Sequence, residues 1–355
     1  MKTSTILVVG GAGYIGSHMV HALLEAGCQV VTLDNLSTGH RDAVRGGMFI
    51  RGDLGDRDLL EGLFRTREID AVMHFAAFSL VGESMIDPGK YYHNNVAATI
   101  ELVRSMLRHR VKRFIFSSTA AVYGEPEVVP ITEAHPCRPT NPYGATKVAV
   151  ERFLADCDQA HGLKHVCLRY FNAAGAHESG TIGEDHQPES HLIPLVLKVA
   201  TGEREEIRIF GSDYPTPDGT CIRDYIHVND LTRAHLLTLD RLLHEGGSGV
   251  YNLGNNTGYS VREVIETARK VTGHPIPAVE EARRPGDPAV LVADSGKARR
   301  ELGWQPQYEG LETIVRSAWE WHRTDGARQG RGNGRLGSET EENKAKQEKN
   351  GEPRI

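Results

Sequence analysis

The sequence has no surplus of positive charge. Its 41 Lys and Arg stand against 47 Asp and Glu, a net charge of -6, so nothing draws it generally to nucleic acid or to an anionic membrane. Any phosphate it binds must be held locally. The five cysteines, at positions 28, 137, 157, 167 and 221, are odd in number and include no Cys-x-x-Cys pair. That argues against a disulfide framework or a zinc ribbon, and for inert thiols in a reducing compartment. Long apolar runs are missing too: none reaches the roughly 18 residues of a membrane span, and Ile6-Leu7-Val8-Val9 is too short for a signal-peptide core. The expectation is a cytoplasmic protein with no membrane and no nucleic-acid partner. Residues 325–355 lack apolar residues beyond Ala327, Leu336, Ala345 and Ile355. They cannot bury enough surface to offset ordering, and read as a disordered polar tail.

What is present is an alternation of Val- and Ile-rich runs with helical patterns. Ile6 to Gly10, Gln29 to Asp34, Met48 to Asp53, Ala71 to Ala76, Phe114 to Ser118 and His165 to Tyr170 predict parallel strands covered on both faces. Between the first two, Ile15, Met19, Val20, Leu23 and Leu24 make one helical stripe that Gly27 can cap. Pro88 to His109, Tyr143 to His161 and Val228 to His244 predict further helices. The fold class expected is therefore α/β: a Rossmann-type doubly wound parallel sheet over residues 1–172, with 228–250 packing back onto it. A smaller mixed α/β substrate domain would comprise 173–227 and 251–324. A ligand pocket belongs near the carboxyl ends of the parallel strands.

Gly10-Gly11-Ala12-Gly13-Tyr14-Ile15-Gly16 lies between a predicted strand and a predicted helix. Residues without a Cβ let backbone approach a pyrophosphate, whose charge is met by amides and by the positive end of the helix. The strand before and the helix after favour a dinucleotide site over a purely structural turn. Asp34 closes the second strand, where a carboxylate can accept from both ribose hydroxyls and would repel a 2′-phosphate, favouring NAD over NADP. Asp53, at the end of the third strand, suits an adenine amino group and equally suits a strand-end turn.

Ser117-Ser118-Thr119 ends a buried strand, and Tyr143-Gly-Ala-Thr-Lys147 opens a helix. Residues four apart share a helix face, so Lys147 can stand near the Tyr143 hydroxyl. Tyrosine titrates near 10, so a base useful near pH 7 needs about 4 kcal/mol of help, which a fixed lysine and a cationic nicotinamide supply with the right sign. Tyr-x-x-x-Lys alone is a common accident. Following the glycine turn and the Ser-Ser-Thr strand end, in that order, it carries weight.

On these residues the chain resembles the extended short-chain dehydrogenase/reductase superfamily and, within it, the UDP-glucose 4-epimerases. The likeness spans about residues 5–323 and includes Leu33-Asp-Asn-Leu36, His74-Phe-Ala76, Val81-Gly-Glu-Ser84, Tyr91-Tyr-His-Asn-Asn-Val96, Arg169-Tyr-Phe-Asn172, Asp213-Tyr-Pro-Thr-Pro-Asp-Gly219, Arg223-Asp-Tyr-Ile-His227 and Tyr251-Asn-Leu-Gly254. It implies NAD held by Tyr14, Ile15, Asp34, Asn35, Asp53, Leu54, Phe75, Ala76, Asn94, Tyr143, Lys147 and Phe171, beside Gly10, Gly13 and Gly16 of the turn. It also implies a UDP-sugar held by Asn172, Leu192, Phe210, Arg223, Arg284 and Asp287, with Thr119 and Tyr143 at the sugar. Arg223 and Arg284 suit a diphosphate because guanidinium groups bind its oxygens as a fork, although either equally suits a structural ion pair. A homodimer through Pro88 to His109 and Tyr143 to His161 is implied as well. His74 has no second ligand at metal spacing, so it reads as packing, and no metal is expected. Ser79 stands where some relatives carry Lys, Ser190-His191 where some carry Asn-Asn, and Leu291 where some carry Tyr.

The activity implied is interconversion of UDP-glucose and UDP-galactose through a 4-ketosugar, with hydride passing to and from bound NAD, Tyr143 as the base, Thr119 on O4′, and Lys147 on the ribose. A preference for a UDP-N-acetylhexosamine or a UDP-pentose is the near alternative. A nucleotide-sugar 4,6-dehydratase would need an acid and a base directly after Thr119, where Ala120 and Ala121 stand. A non-catalytic NAD-sensing regulator would have no use for Thr119, Tyr143 and Lys147 together.

Overall fold

The computed structural model describes residues 4–244, 246–284 and 286–324. The expected tail lies outside the described residues. Thr5–Val9 is an interior strand of a seven-stranded, wholly parallel sheet, and its alternating side chains explain why both faces are covered. Ile6 and Val8 point into a core shared with Met19, Val20 and Leu23 of the helix Tyr14–Glu25 and with Leu231, Leu239 and Leu242 of Val228–His244. Leu7 and Val9 point the other way, onto Leu60 and Leu63 of Arg57–Thr66, Leu102 and Met106 of Ala98–Arg108, and Val150 and Leu154 of Pro142–His161. Each such side chain is worth about 1.5–3 kcal/mol when fully buried, so the three layers hold together by alternation.

From one edge to the other the strands run Gly249–Leu253, Lys164–Tyr170, Arg113–Thr119, Ala71–His74, Thr5–Val9, Gln29–Asp34 and Met48–Arg51. The chain order reverses on either side of Thr5–Val9, and this leaves a crevice at the carboxyl ends. The boundary expected between residues 250 and 251 runs through the edge strand. Ala298, Leu302 and Trp304, beyond that boundary, also lie in the sheet's first core.

The helix expected from Pro88 to His109 widens to a π-turn over Tyr92–Ala97. Its cause is Asn95: buried, it receives the amide of Phe78 at 2.9 Å and donates to the Phe78 carbonyl at 3.0 Å and to Thr146 at 3.3 Å. Periodicity carries no trace of such side-chain bonds. π-turns concentrate at functional sites, and Asn94 lies on this one.

In the second region Ile222–His227 is the middle of a small sheet with Asn172–Ala174, Gly258–Ser260 and Val290–Leu291, while Ile207–Phe210 pairs with Ala278–Glu281. Leu192–Ala200, Val261–Thr272 and a last helix over 311–324 close its own core around Val196, Leu197, Val264 and Ile314.

Candidate active site

At two positions the glycine turn has room for nothing larger than glycine. Gly10 sits at φ +77°, and a Cβ there would lie 2.4 Å from the Ala76 amide nitrogen; one on Gly16 would lie 2.1 Å from the Gly10 carbonyl. Gly13 differs, since a Cβ there would meet only the Gly10 carbonyl, at 3.5 Å. Its outer face is open. Gly13 also caps the helix without a side-chain bond, and no acid stands in the first turn, so the first amides are left to face an anion.

A cleft opens beside this turn, lined by Gly10, Gly13, Asp34, Asn35, Asp53, Leu54, Phe75, Ala76 and Asn94. Those nine residues are thus brought together as the sequence predicts. Asp34 accepts the amides of Ala12 at 2.9 Å and Leu36 at 2.8 Å, one on each carboxylate oxygen. Each oxygen keeps a further lone pair for a ribose hydroxyl. Asn35 donates to Asp53 at 2.8 Å, which ties the ends of the second and third strands together. The residues fit a dinucleotide in shape and in charge. Ser37, Thr38 and Gly39 also line the cleft. The sequence reading missed them, although a run of small residues directly after a strand-end acid was a usable signal. Tyr14 turns its side chain away from the cleft, donating to the Gly175 carbonyl at 2.7 Å, so its amide and not its ring faces the turn.

Thr119, Tyr143 and Lys147 meet at the carboxyl end of Arg113–Thr119. Asn141 caps the helix by accepting the Gly144 amide at 2.8 Å, and this fixes where Tyr143 enters. Thr119 accepts the Ala121 amide at 3.1 Å, which leaves its hydroxyl hydrogen free to be donated. Burial raises the Tyr143 phenol above its ordinary 10.0, and the hydrogen bond from Thr119 works against that rise. Lys147 is 2 % exposed, donates to the Ser117 carbonyl at 2.8 Å, and lies 5.8 Å from the Tyr143 ring centre. Burial brings its ammonium down from 10.5 to about 7, and Glu151, one turn further on, opposes the fall. In the protein by itself, burial outweighs the help that Thr119 gives to Tyr143.

Behind this group lies a buried network that sequence reasoning did not find. Glu151 accepts from Ser118 and, at 3.0 and 2.6 Å, from Arg169; Arg169 reaches Tyr123 at 2.9 Å, and Tyr123 donates to Asn252 at 2.6 Å. A signal existed: Glu151 repeats the four-residue step from Tyr143 to Lys147.

The proposed sugar-nucleotide residues gather in pairs. Arg223 is committed to the carbonyls of Ile222 and Pro288, with Asp287 at 3.8 Å. Arg284 lies over the Phe210 ring at 3.8 Å. Asn172 starts the strand that pairs with Tyr225, Leu192 starts its helix, and Phe171 packs with Ala120, Tyr123 and Leu291. Asp224, which the sequence reading left without a role, accepts the amides of Asn255, Asn256 and Ala293. Burial raises it from 3.8 to about 7. His74 is buried against Thr99, and burial lowers it to about 3, so it stays neutral.

The profile of the NAD dependent epimerase/dehydratase family matches residues 6–254. A UDP-glucose 4-epimerase of Halalkalibacterium halodurans is 59% identical over 318 residues, covering 90% of this chain and 95% of the relative. The crystal structure of a UDP-glucose 4-epimerase from Brucella ovis in complex with NAD superposes with a TM-score of 0.87 at 47% identity, over 89% of this chain and 98% of that one. A UDP-glucose 4-epimerase from Bifidobacterium longum in complex with NAD+ and UDP gives 0.87 at 43% identity, over 90% and 98%.

Proposed function

The chain belongs to the NAD dependent epimerase/dehydratase family, and on that premise we propose that it interconverts UDP-glucose and UDP-galactose by inverting C4′ through a 4-ketosugar. The observation that carries the reading is the meeting of Thr119, Tyr143 and Lys147 beside a cleft fitted to a dinucleotide. Bound NAD supplies a reversible acceptor for the C4′ hydrogen. Gly10, Gly13, Gly16 and the amides of Tyr14 and Ile15 hold its pyrophosphate, Asp34 and Asn35 a ribose, Asp53 and Leu54 the adenine, and Phe75, Ala76, Asn94 and Phe171 the rest. Tyr143 takes the O4′ proton and returns it, Thr119 donates to O4′, and the Lys147 ammonium lowers the phenol's pKa. Arg223 and Arg284 grip the diphosphate, with Asn172, Leu192, Phe210 and Asp287 around the nucleotide and sugar. The ketosugar turns over while its UDP end stays anchored, so either face of C4′ is presented in turn.

Ala120 and Ala121 follow Thr119 in a short 3-10 turn and offer no proton carrier for eliminating water. The enzyme acts in the cytoplasm as a homodimer, through Pro88 to His109 and Tyr143 to His161. Support comes from Met85 at 62 %, Ile86 at 86 % and Tyr92 at 45 % exposure along that flank. The test is incubation with UDP-galactose and no added NAD. UDP-glucose is expected; a 4-keto-6-deoxy product would mean a dehydratase, and no turnover a regulator. Tyr143→Phe is expected to lose about 10²- to 10⁴-fold in turnover while still binding UDP and NAD, and an active variant would sink the mechanism.

A further inference from the structure

The segment over 175–191, between the two regions, contains Glu184-Asp-His186-Gln-Pro-Glu189-Ser-His191. Folding gathers two carboxylates and two imidazoles here, with one donor atom from each within 4.8 Å of all the others. Both acids are out of water, Glu184 at 4 % and the Glu189 side chain at 3 % exposure. Two buried carboxylates side by side require positive charge.

The spacing is specific. His191 Nδ1 stands 2.7 Å from Glu184 Oε1 and 3.2 Å from Glu189 Oε1, and His186 Nδ1 stands 3.3 Å from Glu184 Oε1 and 3.7 Å from Glu189 Oε2. Donors around a tetrahedral ion with bonds of about 2.0–2.1 Å lie roughly 3.3 Å apart, in the middle of that range. Bonds to the backbone serve only one of the two carboxylates. Glu189 Oε1 is served by the amides of Ser190 and His191 at 2.7 and 2.9 Å and by the His191 ring at 3.2 Å. Glu184 Oε1 and His186 Nδ1, by contrast, are buried with no hydrogen-bond partner outside the cluster and face only its other members.

We propose that Glu184, His186, Glu189 and His191 bind a divalent transition-metal ion, with zinc the best match to two imidazoles and two carboxylates in four-coordination. Every ligand comes from the protein, so the ion is structural and takes no part in the sugar chemistry. Its position gives it a task. The His186 ring meets Tyr14 of the glycine turn edge-on at 6.2 Å, His40 reaches the Asp185 carbonyl at 3.1 Å, and His191 immediately precedes Leu192–Ala200. The ion thus clips the connecting segment against the glycine turn on one side and sets the start of the Leu192 helix on the other. This inference holds whichever sugar is the substrate.

The test uses the full chain with its cofactor. After reconstitution with zinc and dialysis, elemental analysis is expected to find about one zinc per chain, and exchange for cobalt to give the intense visible absorption of a tetrahedral site. Glu184→Gln and His191→Ala should lose both signals. His177→Ala, which breaks up the separate grouping of His21, Glu25 and His177, should keep both. Less than about one-tenth of an ion per chain with no cobalt absorption, or full metal content in the Glu184→Gln and His191→Ala proteins, would overturn the proposal. The cluster would then be two ion pairs neutralised by protons. Should either variant fail to fold, the metal content and cobalt spectrum of the unaltered protein still decide.

Discussion

Lys147 offers a sharp test because its proposed service to catalysis is opposed to the stability of the fold. Burial lowers its ammonium from 10.5 to about 7, and at about 1.4 kcal/mol per tenfold the charged form costs the folded state roughly 5 kcal/mol. Below pH 7 the lysine is charged in both the folded and the unfolded chain, so the full cost applies. Between pH 7 and 10.5 the unfolded chain keeps the proton that the folded chain has released, and stability therefore rises with pH. Lys147→Met keeps the length and removes the charge, but leaves the Ser117 carbonyl, now bonded at 2.8 Å, without its donor. An unsatisfied buried acceptor costs about 1–3 kcal/mol. The variant should therefore be more stable than the parent by about 2–4 kcal/mol at pH 6, with the gap narrowing by about 2.3 kcal/mol between pH 7 and pH 9. It should also lose turnover. Urea unfolding of cofactor-stripped protein at pH 6, 7, 8 and 9 reads both quantities. A variant no more stable than the parent at pH 6, and parallel to it in pH dependence, would refute the reasoning.

Gly10→Ala must place a Cβ 2.4 Å from the Ala76 nitrogen in a left-handed conformation; beyond about 1–2 kcal/mol of strain, it should displace the turn, so that cofactor content after desalting falls, and unchanged NAD content would contradict the assigned cleft. Glu151→Gln leaves the Arg169 guanidinium buried without its anion and should cost about 3–5 kcal/mol by chemical unfolding; a loss below about 1 kcal/mol would mean that the network does not hold the two elements. Leu291→Tyr enlarges a half-buried side chain that packs beside Phe171 and Tyr123, and should reduce turnover of UDP-N-acetylgalactosamine far more than that of UDP-galactose. If UDP-galactose proves the poorest of the hexose and pentose substrates before any substitution, the sugar assigned is wrong.

The sheet was legible because its physics is local. Ile6, Leu7, Val8 and Val9 can satisfy two covered faces only by alternating between two cores, and the glycines that follow leave the backbone few other paths. That Asp34 and Asp53 would line one cleft was legible for the same reason, since Asp34 ends its strand and Asp53 lies two residues past the end of the next. What the chain order conceals is what bonds across it. The π-turn depends on Asn95 reaching Phe78, a pairing that helical periodicity over Pro88 to His109 cannot carry. The edge strand Gly249–Leu253 reads as part of the second region until its pairing with Lys164–Tyr170 places it in the first sheet. Glu184, His186, Glu189 and His191 stand two, three and two residues apart in a turn-rich stretch. That rhythm belongs to neither a helix nor a strand, and His74, the histidine that drew attention, is a packing residue.

The buried network gives a reason for the order of the reactive residues along the chain. Tyr143, Lys147 and Glu151 follow one another at one-turn intervals, so a single helix face presents base, cation and anion in sequence from the sugar toward the interior. Glu151 is the group that opposes the fall in the Lys147 pKa. It is only 9 % exposed, and Arg169, from the neighbouring strand, grips both of its oxygens. Arg169 in turn is held by Tyr123, from the turn that follows Thr119, and Tyr123 by Asn252, from the edge strand. Two consequences follow when Glu151 is made neutral. The catalytic strand end and the edge strand lose a shared anchor, and Lys147 loses the anion that keeps part of its population charged near neutral pH. A change of Glu151 to a neutral residue should therefore move the pH dependence of turnover toward acid as well as lower stability, whereas a defect of packing alone would lower stability and leave the pH profile in place.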